Sequence, residues 1–277
     1  MTILAAVLLA LTAGIAEIIP VSGSGHLYLL AEIMGVPVSG PEFRSFRAML
    51  LLGVGFAGVL FYHTQLRDMF RENLVLLGLL RPANRERGIP FGRRLGLLIA
   101  LAVIPMGAAF LLNGLRQRIE LGDYTLVYVS ILLWLSGVLL FLSARSAREK
   151  RTIHQMTLHD AILTGVFQPL SVLPGFSRVG VTSSILMQLG LKGPAVAEFV
   201  GLLGVPVYLA AGFIQLFSAE GLADTPYLVL GFALSALTGF FTLRFFTDFM
   251  ADRRPTVFAY WCWGAGILSM ILFLISA

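Results

Sequence analysis

Apolar residues run along the chain in long stretches that short charged segments separate. Six of these stretches approach the length of about 20 residues that a helix needs to cross a membrane, and they cover 46–62, 95–112, 124–143, 196–217, 226–247 and 256–276. Two further stretches, 3–34 and 158–190, are interrupted near the middle by Pro, Gly, Ser and ionisable residues. The pattern predicts six membrane-spanning helices and two pairs of half-helices, each pair meeting at a polar turn.

The composition supports a membrane protein. Hydrophobic residues make up 57% of the 277 residues and charged residues only 13%, against about 25% charged residues in soluble domains. Because the apolar runs are long rather than alternating, we expect an all-α integral membrane protein and not a barrel. The one cysteine, Cys262, lies in an apolar run and excludes a disulfide framework. The net charge of +5 is modest, so we expect no nucleic-acid partner.

Charged loops predict the orientation. Residues 63–94, interpreted as a loop, hold seven Arg against three acids, and 144–157 and 248–255 are also basic, whereas 113–123 and 218–225 are not. The positive-inside rule places the three basic segments in the cytoplasm and the other two outside. This assignment requires each broken stretch to return to the side on which it started, either as a re-entrant hairpin or as a double span.

The resulting architecture is an inverted-topology repeat within a single membrane domain of residues 1–277. Each half is predicted to be a re-entrant helical hairpin followed by three transmembrane helices, as in many transporters. The first repeat covers 1–143, the second covers 158–277, and 144–157 is a basic cytoplasmic linker. The resemblance of GVPVSGPEF at 35–43 to GLKGPAVAEF at 190–199 supports the repeat, although Gly/Pro-rich turns also resemble one another by chance.

The two breaks contain the chemistry that the sequence offers. The first is EIIPVSGSGH at 17–26, and the second is QPLSVLPGFSRVGVTSS at 168–184. Each break opens a helix, and helix N-termini bind anions, while the Arg178 guanidinium suits phosphate oxygens. The breaks therefore predict two halves of a phosphate or diphosphate cradle. The alternatives are that the ionisable residues pair only for structure and that the hydroxyls only cap helices.

At these breaks the chain resembles the bacterial undecaprenyl-diphosphate phosphatase family of the bacitracin-resistance type. The family's first motif resembles E-x-x-x-E-x-x-P-V-S-S-T-G-H, and here 13–26 reads AGIAEIIPVSGSGH. Its second motif resembles P-G-x-S-R-S-G-A-T, and here 174–182 reads PGFSRVGVT. The resemblance extends over essentially the whole chain, through its length, its loops and its two broken stretches.

The chain also departs from the family pattern. Ala13 replaces the first glutamate, Gly23 the second serine, and Val179 the serine after the arginine. A following motif resembling F-E-x-x-I-Q-L-G reads FRAMLLLG at 46–53, so that Arg47 replaces a glutamate and Leu51 a glutamine. One carboxylate holds a divalent metal less well than two, and the loss of a serine removes one candidate nucleophile.

The resemblance implies hydrolysis of a C55 polyprenyl diphosphate to the monophosphate, which recycles the lipid carrier for cell-wall synthesis. The alternative is a polyprenyl-phosphate transporter or flippase that keeps the anion cradle. The implied setting is the bacterial cytoplasmic membrane, with the site opening to the outer, periplasmic side. A homodimer is among the expected assemblies, and a small-ion channel fits poorly because no span carries a repeated polar stripe.

The expected site follows from the matched motifs. We expect Glu17, His26, Arg178 and Ser24 to be catalytic, and the nucleophile to be water, Ser24, Ser22 or His26. Glu17 is also the candidate ligand for a divalent cation, Mg²⁺ or Ca²⁺, held mainly on substrate phosphates. The expected substrate-binding residues are Ser22, Gly23, Gly25, Pro174, Gly175, Ser177, Gly180, Thr182 and Gln168.

Overall fold

The computed structural model describes residues 1–76, 79–80, 91–107, 125–146, 150–219, 221–252 and 255–276. These residues form helices joined by turns. In chain order the α-helices are α1 (Ile3–Ala16), α2 (Gly23–Ile33), α3 (Pro41–Phe61), α4 (His63–Leu76), α5 (Phe91–Val103), α6 (Thr125–Ser146), α7 (Leu158–Phe167), α8 (Arg178–Gln188), α9 (Gly193–Phe217), α10 (Thr225–Asp252) and α11 (Thr256–Ser276). Short 3₁₀ helices cover Ile104–Gly107, Ile153–Gln155 and Gln168–Val172.

Five helices in the described part of the chain, α3, α6, α9, α10 and α11, are long and apolar enough to cross a membrane. They confirm five of the six predicted spans. The sixth, predicted over 95–112, is described only up to residue 107, where α5 passes into a 3₁₀ turn containing Pro105. Its remaining residues lie outside the described part of the chain.

The interpretation of residues 63–94 as a loop is wrong for its first half, because His63–Leu76 forms α4. Apolar residues at Leu66 and Met69 recur on one face of this charged helix and pack against the core, while α4 also contacts α5. High charge therefore marked an amphipathic helix there. The predicted spans 46–62 and 196–217 also begin earlier, because Pro41 and Pro194 occupy the first turns of α3 and α9, where proline is tolerated.

Both interrupted stretches form pairs of short helices, with the break where the polar residues predicted it. The helices α1 and α2 have 14 and 11 residues, and α7 and α8 have 10 and 11. At 1.5 Å per residue, none is long enough to cross a hydrocarbon layer of about 30 Å. Within each pair the two helices contact each other.

Helix α10 packs closely against both α1 and α3, and glycine allows this approach. A Cβ atom on Gly14 of α1 would lie 2.8 Å from the carbonyl oxygen of Ser235. A Cβ atom on Gly53 of α3 would lie 2.5 Å from the carbonyl oxygen of Phe232. Small residues at such contacts are typical of helix packing in membranes, where close backbone approach replaces the hydrophobic effect.

The remaining long helices complete the bundle and leave apolar side chains on its outside. Helix α3 also packs on α9, and α6 packs on α11. Phe217 and Ile275 are 84% and 77% exposed, which would be costly in water but is favourable against lipid tails. The protein is therefore an all-α, multi-pass integral membrane protein.

Arg151 joins the two ends of the second helix pair. Its guanidinium donates hydrogen bonds to both carboxylate oxygens of Asp160, at 3.2 and 2.5 Å, in the first turn of α7. It also donates to the carbonyl oxygen of Leu189, at 3.0 Å, where α8 ends. Burial raises the pKa of Asp160, but hydrogen bonds from Arg151 and Thr157 and the charge of Arg151 lower it more, so the pKa lies below its usual value.

Candidate functional site

The first break is a turn that ends in a serine cap. Helix α1 ends at Ala16, with Glu17 as its C-cap. Ser22 caps the N-terminus of α2, and its hydroxyl accepts a hydrogen bond from the Gly25 N–H at 3.2 Å. Ser22 adopts a positive φ of 74°, a conformation that costs a non-glycine residue of the order of 1–3 kcal/mol. The cap and the tight packing around Ser22, which is 2% exposed, offset that strain.

The second break has the same local design. Ser177 caps α8, and its hydroxyl accepts a hydrogen bond from the Gly180 N–H at 3.0 Å. Gly175 has a positive φ of 98°, which glycine adopts without steric cost. Ser136 of α6 accepts a hydrogen bond from the Ser177 N–H at 3.0 Å and donates one to the Gly175 carbonyl at 3.4 Å. Sequence reasoning missed Ser136, because one serine in an apolar span gives no local signal.

The two turns touch each other through glycines. A Cβ atom on Gly25 would lie 3.0 Å from the Cα atom of Gly175, and one on Gly180 would lie 3.4 Å from the carbonyl oxygen of Pro20. Two breaks separated by about 150 residues of sequence therefore meet at one place in the fold. The N-termini of α2 and α8 open beside this contact.

A cavity of about 880 Å³ lies against the two turns. Glu17, Gly23 and Ser24 line it from the first turn and Arg178 from the start of α8. Much of the remaining wall is apolar, formed by residues that include Phe43, Leu51, Ile104, Phe176, Val207 and Ile214. The cavity thus combines charged groups at the turns with an apolar wall, an arrangement that suits an amphipathic ligand.

Arg178 holds a buried guanidinium at this cavity. The residue is 9% exposed, and its Nε and Nη1 atoms have no hydrogen-bond partner among the described residues. Its Cζ atom lies 4.5 Å from the ring centroid of Tyr208 in α9, a cation–π contact. The Tyr208 hydroxyl donates a hydrogen bond to the backbone carbonyl of Glu17. Buried donors without partners are costly, so Arg178 is suited to receive an anionic oxygen.

Tyr208, Arg44 and Arg47 also line the cavity, and sequence reasoning did not assign them to the site. Tyr208 follows Pro206, a proline inside α9, which is the one local signal that this helix is irregular. Arg47 was recognised only as a departure from a motif. The charges of Arg47 and Arg178 both act on Glu17, so two guanidinium groups are close enough to influence its carboxyl group.

His26 is not among the residues that line the cavity, and both of its ring nitrogens make hydrogen bonds elsewhere. Its Nδ1 donates to the Ser22 carbonyl at 2.9 Å, and its Nε2 accepts a hydrogen bond from the Trp261 indole at 2.7 Å. These partners fix the neutral tautomer that carries its proton on Nδ1. His26 therefore supports the strained Ser22 turn and ties it to α11. Sequence reasoning missed Trp261, which is 61% exposed and resembles an ordinary lipid-facing residue.

The other predicted substrate-binding residues build the turns and do not face the cavity. Gln168 is buried and donates to the Ala102 carbonyl at 2.9 Å, which links the second turn to α5. The hydroxyl of Thr182 is buried without a hydrogen-bond partner in the described part of the chain. The residues that do not line the cavity are Ser22, Gly25, His26, Gln168, Pro174, Gly175, Ser177, Gly180 and Thr182.

Packing explains several departures from the motif. Ala13 is fully buried in an apolar cluster with Leu27 and Phe46, where an added carboxylate would lack solvation. Leu51 and Val179 belong to the main apolar core. A Cβ atom on Gly23 would overlap the side chain of Glu17. The substitutions thus leave Glu17 as the acid at the site and give it the space beside Gly23.

The described side chains at this cavity supply few ligands for a divalent cation. Mg²⁺ and Ca²⁺ need several oxygen ligands. These usually come from more than one carboxylate, or from one carboxylate together with waters and phosphates. Among the described residues that line the cavity, Glu17 is the one acid and three are arginines. No group of three or more His, Cys, Asp or Glu able to hold a metal occurs in the described ranges. Two guanidinium charges already act on Glu17, and they repel any further cation.

Comparison with known proteins identifies similar chains. An undecaprenyl-diphosphatase of Anaeromyxobacter sp. (strain Fw109-5) is 31% identical over 278 residues, covering 98% of this chain and 88% of the relative. That of Anaeromyxobacter dehalogenans (strain 2CP-1 / ATCC BAA-258) is 33% identical over 283 residues, covering 98% and 92%. That of Acidothermus cellulolyticus is 28% identical over 258 residues, covering 92% and 91%.

The family model of the bacitracin resistance protein BacA matches residues 6–268. The match includes both turns, the cavity and nearly all the described helices. With relatives above 30% identity over almost the full chain, the resemblance first seen in the two broken motifs is confirmed. The chain belongs to the BacA family.

Proposed function

We propose that the protein is a membrane phosphatase that hydrolyses undecaprenyl diphosphate to the monophosphate. The observation that carries the proposal is the meeting of Glu17, Ser24 and Arg178, from two distant turns, at one cavity with an apolar wall. Relatives that align over nearly the whole chain are named undecaprenyl-diphosphatase. The apolar wall suits the first isoprene units of the lipid, and the rest of the polyprenyl tail remains in the membrane.

Arg178 holds the diphosphate in this proposal. Its unpartnered Nε and Nη1 groups match the fork geometry with which guanidinium binds phosphate oxygens. The N-terminus of α8, which Arg178 opens, adds the positive end of the helix dipole. Tyr208 keeps the guanidinium in place through its ring. Stabilisation of phosphoryl charge is the main task in phosphoryl transfer, so loss of Arg178 removes the largest contribution.

Contacts at the first turn support two candidates for the nucleophile. The Ser22 hydroxyl accepts a hydrogen bond from the Gly25 N–H, and both nitrogens of His26 are engaged. Ser24 lines the cavity with Glu17, so the attacking oxygen is that of Ser24 or of a water held between them. In either case the bond from the terminal phosphorus to the bridging oxygen breaks, and the lipid monophosphate leaves. Glu17 accepts the proton of the attacking group, and with Ser24 a water then hydrolyses the phosphoserine.

We propose the inverted repeat of 1–143 and 158–277, with both helix pairs re-entrant and joined by the linker 144–157. The shortness of α1, α2, α7 and α8 supports re-entrance, as does the Arg151 clamp between both ends of the second pair. Helix contacts support the repeat because equivalent helices make equivalent contacts with the other half. The first helix of the first pair, α1, contacts α10, and the first helix of the second pair, α7, contacts α5. Helix α3 contacts its equivalent α9, and α6 contacts its equivalent α11.

Two equivalent glycines support the repeat further. Gly14 precedes Glu17 by three residues, and Gly165 precedes Gln168 by three. A Cβ atom on Gly14 would lie 2.8 Å from the Ser235 carbonyl, and one on Gly165 would lie 2.8 Å from the Ala102 carbonyl. In each half, therefore, a glycine lets the first helix of the pair pack closely against the other half. This helix is α1, packed on α10, in the first half and α7, packed on α5, in the second.

The membrane and its sidedness remain part of the proposal. We place the protein in the bacterial cytoplasmic membrane with the cavity reached from the periplasmic side, supported by the basic segments 63–94 and 144–157 and the positive-inside rule. A membrane-impermeant thiol reagent tests this in a C262S background. We expect the reagent to label Gly35→Cys when it is added outside intact cells. We expect it to label Thr152→Cys only when it has access to the cytoplasmic side. The reverse labelling overturns the orientation. The homodimer stays a prediction.

Phosphate release from undecaprenyl diphosphate in detergent tests the activity. Wild type is expected to release phosphate, and Arg178→Ala to lose at least about a hundredfold in kcat/KM, because charge clamps on phosphoryl groups contribute on that scale. Ser24→Ala separates the two nucleophiles: loss of all turnover assigns Ser24, and partial loss assigns water. Arg67→Ala is the control, since Arg67 is 73% exposed. No release by wild type refutes the proposal.

A further inference from the structure

Arg47 gives the cavity a second arginine beside the one in the matched motif. It lies on α3, 131 positions before Arg178, and lines the same cavity. Its Nε atom is buried, and its charge and that of Arg178 both act on Glu17. The motif that this segment resembles carries a glutamate there, so the substitution reverses the charge at the edge of the site.

The arginine at position 47, in place of a glutamate, changes the net charge of the cavity. Three arginines and one glutamate line it in the described part of the chain, so it is cationic before any ligand binds. A diphosphate carries two or more negative charges near neutral pH and balances this excess directly. A divalent cation instead has to approach guanidinium groups with one carboxylate to hold it, and like charges repel each other.

Guanidinium also suits the task chemically. Arginine presents planar donors in a fixed fork and forms bidentate bonds to phosphate oxygens. It stabilises phosphoryl charge in other enzymes, as do bound metal ions. Two arginines from different helices can contact both phosphates of a diphosphate, whereas one arginine contacts fewer of the oxygens.

We propose that Arg47 and Arg178 together neutralise the diphosphate in this chain, so that binding needs no divalent cation. This inference rests on the proposed function for its ligand. It makes Arg47 a residue that binds the diphosphate. In this chain an arginine then neutralises the phosphate charge that the expected Mg²⁺ or Ca²⁺ would otherwise neutralise.

Calorimetry with inorganic pyrophosphate tests the inference without turnover. The full-length protein in detergent is titrated in EDTA and again with excess Mg²⁺. We expect binding in EDTA, and no tightening with Mg²⁺. Arg47→Gln is expected to weaken binding in EDTA by about ten- to a hundredfold, because it removes a charge-assisted hydrogen bond to phosphate. Arg67→Gln, on the exposed face of α4, is the matched control and leaves affinity unchanged.

Two further variants keep the test decisive if Arg47→Gln folds poorly. Arg47→Lys keeps the charge and loses the fork, so an intermediate loss is expected. Arg47→Glu is expected to abolish binding in EDTA and to restore part of it with Mg²⁺ or Ca²⁺, which creates cation dependence. Elution from a sizing column checks folding of each variant. Wild type that binds only with a divalent cation, or Arg47 variants that bind as wild type does, overturns the inference.

The lipid assay separates this inference from the proposed function. Phosphate release from undecaprenyl diphosphate is measured in EDTA and in Mg²⁺. Turnover that requires the cation refutes the inference and leaves the phosphatase intact. Pyrophosphate binding in EDTA that depends on Arg47, with no lipid turnover under either condition, refutes the phosphatase and leaves the anion site. Turnover in EDTA that falls in Arg47→Gln supports both.

Discussion

Replacement of Asp160 by asparagine tests whether the Arg151 clamp holds the second helix pair together. Asp160 is 2% exposed and accepts two hydrogen bonds from Arg151 and one from the Thr157 N–H at 2.7 Å. Breaking a buried ion pair costs about 3–5 kcal/mol. Arg151 is 29% exposed and keeps bonds to the Leu189 and Gln155 carbonyls, so water and these acceptors offset part of the loss. We expect a decrease of about 2 kcal/mol in the free energy of unfolding.

Reversible unfolding in mixed micelles, followed by circular dichroism at several pH values, measures this decrease. The pKa of Asp160 is lowered in the folded protein, so its contribution is complete above the ordinary carboxylate pKa of about 3.9. The contribution is lost as the pH falls through the lower, folded-state pKa. The difference between wild type and Asp160→Asn is therefore expected to be constant near neutral pH and to shrink below about pH 4.

A matched substitution at an exposed ion pair provides the control. Asp68 pairs with Arg67 at 3.4 Å, and their side chains are 55% and 73% exposed. Asp68→Asn makes the same chemical change, and we expect it to cost less than about 0.5 kcal/mol, as exposed pairs do. Equal effects of the two substitutions, or a difference for Asp160→Asn that does not depend on pH, would refute the reasoning from burial and the clamp.

Two further predictions concern the first turn. Gly25→Ala forces a Cβ atom to within 3.0 Å of the Gly175 Cα atom and is expected to destabilise the protein by about 1–3 kcal/mol. Gly264→Ala has open space and is expected to be neutral or stabilising, so equal unfolding midpoints would contradict the contact between the turns. Trp261→Phe keeps a ring beside His26 but removes the indole donor, and we expect a loss of about 1 kcal/mol. An unchanged unfolding free energy would show that this hydrogen bond contributes nothing.

Much of the architecture could be predicted because a membrane imposes strict rules on sequence. A spanning helix must be long and apolar, so α6, α9 and α11 are evident from hydropathy. Polar residues within an apolar run mark places where the backbone leaves the helix, so the breaks at Glu17 and Gln168 were also placed correctly. The rule failed at α4, because an amphipathic charged helix and a basic loop have similar compositions.

The positions of side chains within the turns agreed less closely with the predictions made from the sequence. Ser22 and Ser177 cap their helices, as the alternative interpretation held, because a serine before a helix has an N–H donor within reach. His26 was expected to be catalytic with Arg178, but it lies outside the cavity, bonded to Trp261. Nothing near His26 in the sequence reveals a partner 235 positions away.

The sequence alone determined that the protein is a helical membrane protein with two polar breaks, because hydropathy and turn chemistry act over a few neighbouring residues. Only the tertiary structure decided which residues share the cavity. Arg47 and Tyr208 reach it from α3 and α9, helices that the sequence identified only as spans. Glycine contacts between helices and between the two turns fix that arrangement. Such contacts depend on the distance between backbones, and no local pattern of residues encodes that distance.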